Sequence, residues 1–379
     1  MRATAAESGT NVIATLDWQS GTARHRDSLF LPRSALQADS QLAAAAGQLD
    51  AGPIHLDAGR WLQPRGEPVT RLPADAFRLK HFPQPGRFFP RLAFTGLASG
   101  PRDFRPCRVL GVGDGQLKVD VNHPLAVYGA ELTLRASSAD PVPGRFRQLL
   151  EGTGMQAPPA DGQACYLPAG ACDRLDESGD AGFYAQPRLV HHLDAVCRAH
   201  IETLHGTFLA PGMAVLDLMS SWVSHLPAEI PAGLSLTGLG MNPEELEANP
   251  RLDRRVCHDL NRQPWLPFPD RAFDLVLCTA SVEYLVHPRS VLADVGRVLR
   301  PGGRCVITFS DRWFLPKAIR VWGELHPFER LGLVLWLMEE AGFTDLRTRS
   351  LRGLKRPADD KYAAQREYSD PLFAVWGGV

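Results

Sequence analysis

Hydrophobic and polar positions repeat with different periods in the two ends of the chain. Residues 1–138 hold short β-like apolar runs broken by Gly and Pro, with little helical period outside residues 40–49. From Phe183 onward, short apolar runs alternate with amphipathic stretches of helical period. Short buried strands that alternate with helices are typical of a parallel sheet wrapped by helices. The pattern therefore predicts a mainly-β first part and an α/β second part.

Individual elements of the second part can be predicted from the same runs. We expect one helix to begin at Pro187, because apolar residues from Leu189 to Leu204 share a face. The other predicted helices cover residues 290–299, before a Pro-Gly-Gly turn, and 328–341. The predicted strands cover residues 213–218, 234–239, 273–278 and 304–309, with a last edge strand at 372–376.

The segment between the two parts is rich in Pro and Gly. Residues 139–180 contain Pro141, Pro143, Pro158, Pro159 and Pro168, which favours a linker with one short helix near 145–152. A chain of 379 residues is also long for one domain. The predicted organisation is residues 1–138, a linker at 139–180 and a second domain at 181–379.

Charge and composition exclude several classes of partner. The net charge is −1 without a Lys/Arg cluster, so nucleic acid and anionic membranes are not expected. The first twenty residues carry Arg2, Glu7 and Asp17 and no apolar run, and the apolar stretch 331–338 is too short to cross a bilayer. The seven cysteines form no CxxC pair. We expect a cytoplasmic protein with reduced thiols and no bound metal.

Three stretches of the second part carry the chemistry. Asp217 ends the strand "VLDL", Asp259 precedes "LPFPDRAFDLVLC", and "VGRVLRPGG" ends a helix. In open α/β sheets the ligand crevice lies outside the carboxyl ends of the strands. The order and spacing of these stretches resemble class I S-adenosylmethionine-dependent methyltransferases, in particular the ubiquinone-type and type 11 enzymes, over residues 183–379. The resemblance implies a Rossmann-like fold and S-adenosylmethionine as cofactor.

The resemblance also implies roles for particular residues. Asp217 would help to hold the amino-acid end of the cofactor, and Asp259, with Leu260 beside it, would lie near the adenine. Residues from Thr279 to Glu283 follow the strand beside which the methyl acceptor approaches, and Thr279 is also expected to contact the cofactor. Two alternatives stay open, because Asp217 can instead cap a helix and Asp259 can belong to a solvated turn.

The chain departs from the family at two positions. The glycine-rich turn after the first strand is absent, and the hydroxyls of Ser220 and Ser221 are expected to bind the cofactor instead. Where the family has an acidic residue that grips the ribose, this chain reads Gly240-Met241-Asn242. Asn242 is expected to make one such hydrogen bond, which is weaker than the pair a carboxylate makes.

His225 and Glu283 are the candidate general bases, because a methyl acceptor often has to lose a proton. Both have structural alternatives: a histidine is often buried or capping, and Glu283 can simply begin a helix. Tyr284 and Trp313 either line the acceptor pocket or fill the core. Methyl transfer needs mainly alignment, so a catalytic side chain is not obligatory.

The string "VDVNHPLA…GAELTLRA" near residues 119–136 resembles the closing strands of SlyD-type FKBP prolyl isomerases. The resemblance implies a mainly-β FKBP-like first domain with an apolar pocket. Its lining would come from four aromatic residues, Phe88, Phe89, Phe94 and Tyr128. Asn122-His123-Pro124 is interpreted as a tight turn rather than as a catalytic group.

Two functions remain open at this point. The first is methyl transfer from S-adenosylmethionine to an unidentified protein, peptide or small-molecule acceptor, which the first domain would present. The second is a prolyl isomerase or folding helper whose second domain does not turn over a cofactor.

Overall fold

The computed structural model describes residues 11–21, 23–62, 69–79, 83–159 and 164–379. No signal peptide is expected from the sequence, partly because of Arg2 and Glu7. These two residues lie outside the described ranges. Within the described ranges, no helix combines the length and apolar character that a bilayer crossing requires. No group of three His, Cys, Asp or Glu side chains in these ranges is placed to hold a metal ion, and all seven cysteines are free thiols.

The strands and helices are numbered in chain order. The strands are β1 Asn11–Ser20, β2 Ala23–Pro32, β3 Ile54–Asp57, β4 Val69–Pro73, β5 Phe88–Pro90, β6 Pro106–Gly113, β7 Gln116–Asp120, β8 Ala130–Ser137, β9 Ala214–Leu218, β10 Ser235–Gly240, β11 Arg254–Cys257, β12 Phe273–Thr279, β13 Leu299–Phe309, β14 Thr344–Arg352 and β15 Leu372–Gly378. The α-helices are α1 Ser40–Ala46, α2 Gly59–Leu62, α3 Arg147–Leu150, α4 Asp180–Phe183, α5 Ala195–Gly206, α6 Pro243–Ala248, α7 Pro288–Val298, α8 Arg320–Glu324 and α9 Pro327–Glu340. Short 3₁₀ helices lie at Arg33–Leu36, Leu49–Ala51, Ala74–Ala76, Arg91–Ala93 and Val282–Tyr284.

The second part forms a parallel sheet with helices, as its hydrophobic pattern predicts. The strand order is β11-β10-β9-β12-β13, and neighbouring strands pair in parallel. The chain leaves β9 toward β10 on one side and later returns to β12 on the other side, so strand order reverses next to β9. Ligands bind beyond the carboxyl ends of the strands at such a switch point. The sheet therefore directs attention to the ends of β9, β10 and β12.

The sequence predicted that the last strand lies at an edge of the sheet, and the structure shows that this is wrong. β15 pairs antiparallel with β13 on one side and with β14 on the other. The sequence of β14 is "TDLRTRSLR", in which Arg alternates with other residues and conceals the strand. Because β14 was not predicted, β15 was left without its second neighbour.

The N-terminal strands continue this sheet instead of forming a separate body. β2 pairs in parallel with β14, with Leu346 opposite Ala23 and Arg352 opposite Leu29. β1, β8 and β3 follow beyond β2 as antiparallel neighbours, which gives one sheet of eleven strands among the described residues. The sheet thus crosses the predicted boundaries at 138/139 and 180/181. Main-chain hydrogen bonds between β2 and β14 are the reason, and local sequence patterns do not report such long-range pairing.

The described residues between 139 and 180 pack into the fold rather than forming an exposed linker. Leu149 is fully buried in the hydrophobic cluster that covers the N-terminal strands. Tyr166 is also buried, and its ring lies 5.9 Å from that of Trp336 on α9. The short helix expected here is present as α3. Its buried face explains why the prolines of this segment bend the chain without releasing it into solvent.

A second, four-stranded sheet lies within the first part, in the order β4-β7-β6-β5. A tight turn joins β6 to β7, and its residues Asp114 and Gly115 both have positive φ. β7 belongs to this sheet, whereas β8, the next strand, belongs to the large one. The string that resembles the FKBP closing strands is therefore divided between two sheets.

The four aromatic residues expected to line a prolyl-isomerase pocket do not meet in one place. Phe89 and Phe94 are buried together in the core of the small sheet. Phe88 belongs to the large central cluster, and Tyr128 packs beside Trp18. His123 is held in its turn, where its Nδ1 accepts from the backbone N–H of Leu125 at 3.1 Å. This agrees with its structural interpretation.

Candidate functional site

A cavity of about 230 Å³ opens at the carboxyl ends of β9, β10 and β12. All seven residues predicted to bind a cofactor line it: Asp217, Ser220, Ser221, Asn242, Asp259, Leu260 and Thr279. Because the carboxyl ends of neighbouring parallel strands meet at one edge, the strand ends visible in the sequence were enough to bring these residues together. Of the two candidate bases, His225 lines the cavity and Glu283 does not.

Asp217 lies at the end of β9 and is only 4% exposed. Its Oδ2 accepts a hydrogen bond from Ser220 Oγ at 2.6 Å. Burial raises the pKa of Asp217 to about 6, against the opposing effect of the Ser220 and Ser224 hydroxyls. At neutral pH the group is a buried carboxylate with no cation beside it among the described residues. Such a carboxylate is suited to bind an ammonium group.

The loop after β9 approaches the sheet closely although it contains no glycine. The backbone N–H of Ser220 donates to the carbonyl of Leu239 on β10 at 2.7 Å. A Cβ on Gly240 would lie 2.2 Å from the Ser220 carbonyl oxygen. The glycine that permits the close approach is therefore on β10. The two departures from the family, a glycine-free loop and Gly240 in place of an acidic residue, are one compensated change.

Backbone strain is concentrated around this cavity. Met219, His225 and Ala280 line it, and all three adopt a positive φ, at 58°, 48° and 48°. A positive φ is costly for residues with a Cβ and persists where the surrounding structure enforces it. Half of the six non-glycine residues with positive φ in the described chain are thus found at one cavity. Strain gathered in this way favours a functional site.

Two residues that line the cavity each have a buried polar atom without a hydrogen-bond partner among the described residues. The two atoms are Thr279 Oγ1 and His225 Nδ1. Buried polar groups are nearly always paired, so unpaired ones call for a ligand or water. Burial lowers the pKa of His225 to about 3, which makes its imidazole neutral at physiological pH and a weak base. His225 fits a hydrogen-bonding role better than the proton-accepting role expected from the sequence.

Glu283 lies behind the cavity wall, in the 3₁₀ turn Val282–Tyr284. It is 1% exposed, and its Oε2 has no hydrogen-bond partner in the described part of the chain. Burial raises its pKa to about 7, and the nearby Arg330 cation opposes this shift. The guanidinium of Arg330 in turn stacks on Trp313, 4.1 Å from the ring centre. The structure does not bring Glu283 into the cavity, because the turn points it inward toward Arg330.

Asn242 and Asp259 line the cavity but also hold turns. Asn242 caps α6: its Oδ1 accepts from the backbone N–H groups of Glu244 and Glu245 at 2.9 and 3.0 Å. The amide nitrogen of Asn242 donates to the carbonyls of residues 184 and 185. Asp259 accepts from the backbone N–H groups of residues 261 and 262. Both side chains therefore stabilise the local backbone. The sequence left this alternative open for Asp259 and did not indicate it for Asn242.

A strap formed by residues 180–193 covers the cavity, and the sequence analysis did not find it. The helix predicted to begin at Pro187 forms as α5 but begins only at Ala195, with Asp194 as its N-cap. The preceding residues, including Leu189 and Val190, are irregular and about half exposed. Trp222 Nε1 donates to the carbonyl of Val190 at 3.4 Å, so this side chain forms a wall as expected.

Arg188 of the strap is the main cation that the sequence analysis missed. Its guanidinium lies 4.3 Å from the ring centre of Phe183 and 5.2 Å from that of Phe314. Phe314 and Trp313 follow β13 and line the cavity together with Tyr284. The side of the cavity next to β12 and β13 is therefore aromatic.

Comparisons with known proteins agree with this geometry. The model of a family described as "Methyltransferase domain" matches residues 222–307. The chain is 29% identical over 102 residues to demethylmenaquinone methyltransferase of Tropheryma whipplei (strain Twist), a stretch covering 25% of this chain and 41% of that protein. It is 45% identical over 49 residues to the ubiquinone/menaquinone biosynthesis C-methyltransferase UbiE of Burkholderia mallei (strain SAVP1), which covers 13% of this chain and 20% of that protein. The C-terminal part contains a class I S-adenosylmethionine-dependent methyltransferase domain.

The chain spans less than half the length of these curated relatives. Among solved structures, a SAM-dependent methyltransferase from Aquifex aeolicus is 17% identical and covers 48% of this chain and 93% of its own, with a TM-score of 0.34. A possible histamine N-methyltransferase from Thermotoga maritima is also 17% identical, covering 50% of this chain and 91% of its own, with a TM-score of 0.36. The methyltransferase domain is therefore identified from the family match and the strand order, and not from these structural similarities.

The cofactor implied by this domain is S-adenosylmethionine, and the residues at the cavity fit it. Asp217 offers a buried carboxylate to an ammonium group, and Leu260 offers an apolar surface to a base. The unpartnered Thr279 Oγ1 and His225 Nδ1 offer polar contacts that the protein itself does not use. The donor set contains no cluster that would suit a metal instead, within the described residues.

Proposed function

We propose that this chain transfers the methyl group of S-adenosylmethionine to a small aromatic acceptor. The observation that carries the proposal is the cavity at the switch point of the sheet, with its strained backbone and unpaired polar atoms. Residues 222–307, which contribute much of this part of the fold, match the methyltransferase family. When bound, the cofactor supplies an electrophilic methyl group on a positively charged sulfur. The work of the protein is then to align the acceptor and to exclude water.

Each part of the cavity has a distinct task in this proposal. The Asp217 carboxylate binds the ammonium of the cofactor, and Leu260 with Asp259 borders its adenine. Thr279 and His225 complete the polar contacts. The acceptor lies against Tyr284, Trp313 and Phe314, on the side where the strap closes over the cavity.

The aromatic acceptor is proposed from the lining and from the relatives. Tyr284 and Phe314 lie with ring centres 6.0 Å apart, and the Phe314 ring also contacts His192 at 5.0 Å. Aromatic side chains that line a cavity can stack on a flat aromatic ligand in the same offset and edge geometries. The relatives are named for demethylmenaquinone and for ubiquinone/menaquinone biosynthesis. The protein or peptide acceptor expected from the FKBP resemblance stays a prediction, which the covering strap does not favour.

Loss of the acceptor proton does not depend on a base inside the cavity. Burial raises the pKa of two carboxyl groups toward neutrality, but Asp217 is assigned to the cofactor and Glu283 does not line the cavity. An aromatic hydroxyl or activated ring carbon can release its proton to solvent after methylation. Glu283 is therefore proposed to position the aromatic wall rather than to act as a base.

The test is a methyl-transfer assay on the full chain. The chain is incubated with methyl-labelled S-adenosylmethionine and a panel of soluble hydroquinones and catechols, and S-adenosylhomocysteine is quantified. We expect product formation with at least one acceptor and its loss in Asp217→Asn. Cofactor binding without product for any acceptor would favour the alternative of a binding protein that does not turn over.

Prolyl isomerisation by residues 1–138 stays a prediction of the sequence. The aromatic residues expected to line its pocket lie in separate clusters. A proline-limited refolding assay with the full chain decides it: acceleration of the slow phase would support isomerase activity in addition to methyl transfer.

A further inference from the structure

The position at which the family grips the cofactor ribose has no side chain here and no space for one. A Cβ on Gly240 would meet the carbonyl oxygen and carbon of Ser220 at 2.2 and 3.2 Å. Both atoms belong to the backbone, so a small side-chain rotation cannot relieve the contact. Any acidic group that binds the ribose must therefore come from another part of the chain.

Asn242, the residue expected to make one such bond, has no hydrogen-bonding capacity left. Its oxygen accepts two backbone N–H groups, and its nitrogen donates to two carbonyls. An amide side chain offers two acceptor sites and two N–H donors. Binding of a ribose hydroxyl to Asn242 would require one of these bonds to break.

Glu245 lies in the first turn of α6 and lines the same cavity. Its Oε2 accepts from Ser221 Oγ at 2.6 Å, and its Oε1 accepts from the backbone N–H of Arg188 at 2.7 Å. These two partners belong to the loop after β9 and to the strap, which are the two segments that border the cavity. The carboxylate is thus held in place from both sides.

The carboxylate of Glu245 still has acceptor sites to offer. Two oxygens provide about four lone-pair sites, of which these bonds use two. Within the described residues it forms no ion pair with a Lys, Arg or His side chain. A half-buried carboxylate with one free site on each oxygen is suited to a pair of neighbouring hydroxyl groups, because hydrogen bonds to a charged acceptor are strong.

We propose that Glu245 is the carboxylate that receives the ribose hydroxyls of the cofactor, in place of the absent strand-end acid. This inference rests on the proposed function, because it requires the cavity to bind S-adenosylmethionine. Ser221 then acts by orienting the Glu245 carboxylate, and its hydroxyl contacts the cofactor only indirectly. The compensation is complete: Gly240 makes room for the loop, and the loop positions the substitute acid.

The test is a binding cycle by calorimetry on the full chain. The probes are S-adenosylhomocysteine and its 2′-deoxy and 3′-deoxy counterparts, and the proteins are the wild type, Glu245→Gln and the control Glu244→Gln. Glu244 is an exposed neighbour that does not line the cavity. We expect removal of a ribose hydroxyl to weaken binding to the wild type and to Glu244→Gln about tenfold or more. In Glu245→Gln the same removal should cost less than about threefold.

The cycle separates this inference from a purely structural role of Glu245. If Glu245 has only a structural role, Glu245→Gln should weaken the binding of all three probes equally. The loss of affinity on removing a ribose hydroxyl would then be the same as in the wild type, which would overturn the proposal. If Glu245→Gln does not fold, Glu245→Asp provides the second variant, since it withdraws the carboxylate by one methylene and keeps its charge. Equal binding of all three probes by the wild type would also overturn the proposal. No binding of S-adenosylhomocysteine by the folded wild type would remove the proposed function as well.

Discussion

Two buried carboxyl groups, one beside the N-terminal strands and one behind the candidate cofactor cavity, differ in their hydrogen-bond partners. In the N-terminal half, the fully buried Asp27 accepts from Trp18 Nε1 and Gln156 Nε2 at 3.0 Å each, and from Ser350 Oγ at 2.8 Å. In the C-terminal half, Glu283 is equally buried, but its Oε2 has no partner among the described residues. Thr279 Oγ1 is also unpaired. Burial alone therefore does not distinguish the surroundings of Asp27 from the cavity wall, whereas the hydrogen-bond partners of these particular groups do.

The contrast assigns different tasks to the two halves. A satisfied buried network fixes one arrangement of the chain, and Asp27 joins β2, the segment around Gln156 and β14. Unpaired groups and positive φ cost stability and persist only where other contacts enforce them. The Asp27 network thus stabilises the sheet, whereas the unpaired groups and the strained residues around the cavity lower the stability of the fold.

The largest expected effect comes from breaking the support. Asp27→Ala leaves the Trp18, Gln156 and Ser350 donors buried without an acceptor, which should lower the free energy of unfolding by about 3–5 kcal/mol. Because β2 and β14 share one sheet, we expect the variant to unfold in a single transition that also abolishes cofactor binding. Urea unfolding followed by tryptophan fluorescence measures it. The exposed Asp75→Ala is the control, and a loss below about 1 kcal/mol for Asp27→Ala would contradict this account.

A gain in stability is expected at Glu283. Its pKa rises from 4.5 to about 7 in the folded chain, so its contribution to stability is present below pH 4.5 and is lost as the pH rises through 7. Glu283→Gln has no charge to bury and avoids this loss. Above pH 7 the variant should be more stable than the wild type by about 3 kcal/mol, with little difference near pH 4.5. If the difference in the free energy of unfolding between the two proteins does not change with pH, Glu283 is not buried as described.

A smaller effect is expected from filling the space at Gly240. Gly240→Ala forces its Cβ against the Ser220 carbonyl and should cost about 1–3 kcal/mol while displacing the loop that holds Asp217. Gly323→Ala is the matched control, because a Cβ there meets nothing within 4 Å in the helix α8. The control should be neutral or slightly stabilising. Thermal unfolding and cofactor titration of both variants decide; tolerance of Gly240→Ala would disprove the close approach.

The sequence predicted the C-terminal strands well because their apolar runs are continuous. Residues 273–278 were predicted and Phe273–Thr279 is observed, and β9 begins one residue later than expected. The strand ends then placed Asp217, Asp259 and Thr279 at one cavity. Periodicity and the carboxyl-end rule therefore carry most of this half of the fold and its site.

What the sequence missed depends on contacts between distant segments. The strap residue Arg188 and the helix residue Glu245 meet only through packing, so no local pattern reports them. The helix α5 was predicted to begin too early, at Pro187, because apolar residues such as Leu189 fit its pattern although they are exposed on the strap. The pairing of β2 with β14 joins residues more than three hundred positions apart, and the division into separate domains was drawn without it.

The most direct test of the central claim, that the C-terminal cavity is the cofactor site, is calorimetric titration of S-adenosylmethionine and S-adenosylhomocysteine into the full chain. Asp217→Asn removes the buried carboxylate while keeping its shape, and Asp75→Asn is the exposed control. The account predicts micromolar binding, about −8 kcal/mol, by the wild type and the control, and binding at least about tenfold weaker in Asp217→Asn. A folded wild type that binds neither compound, or equal binding by all three proteins, would contradict it.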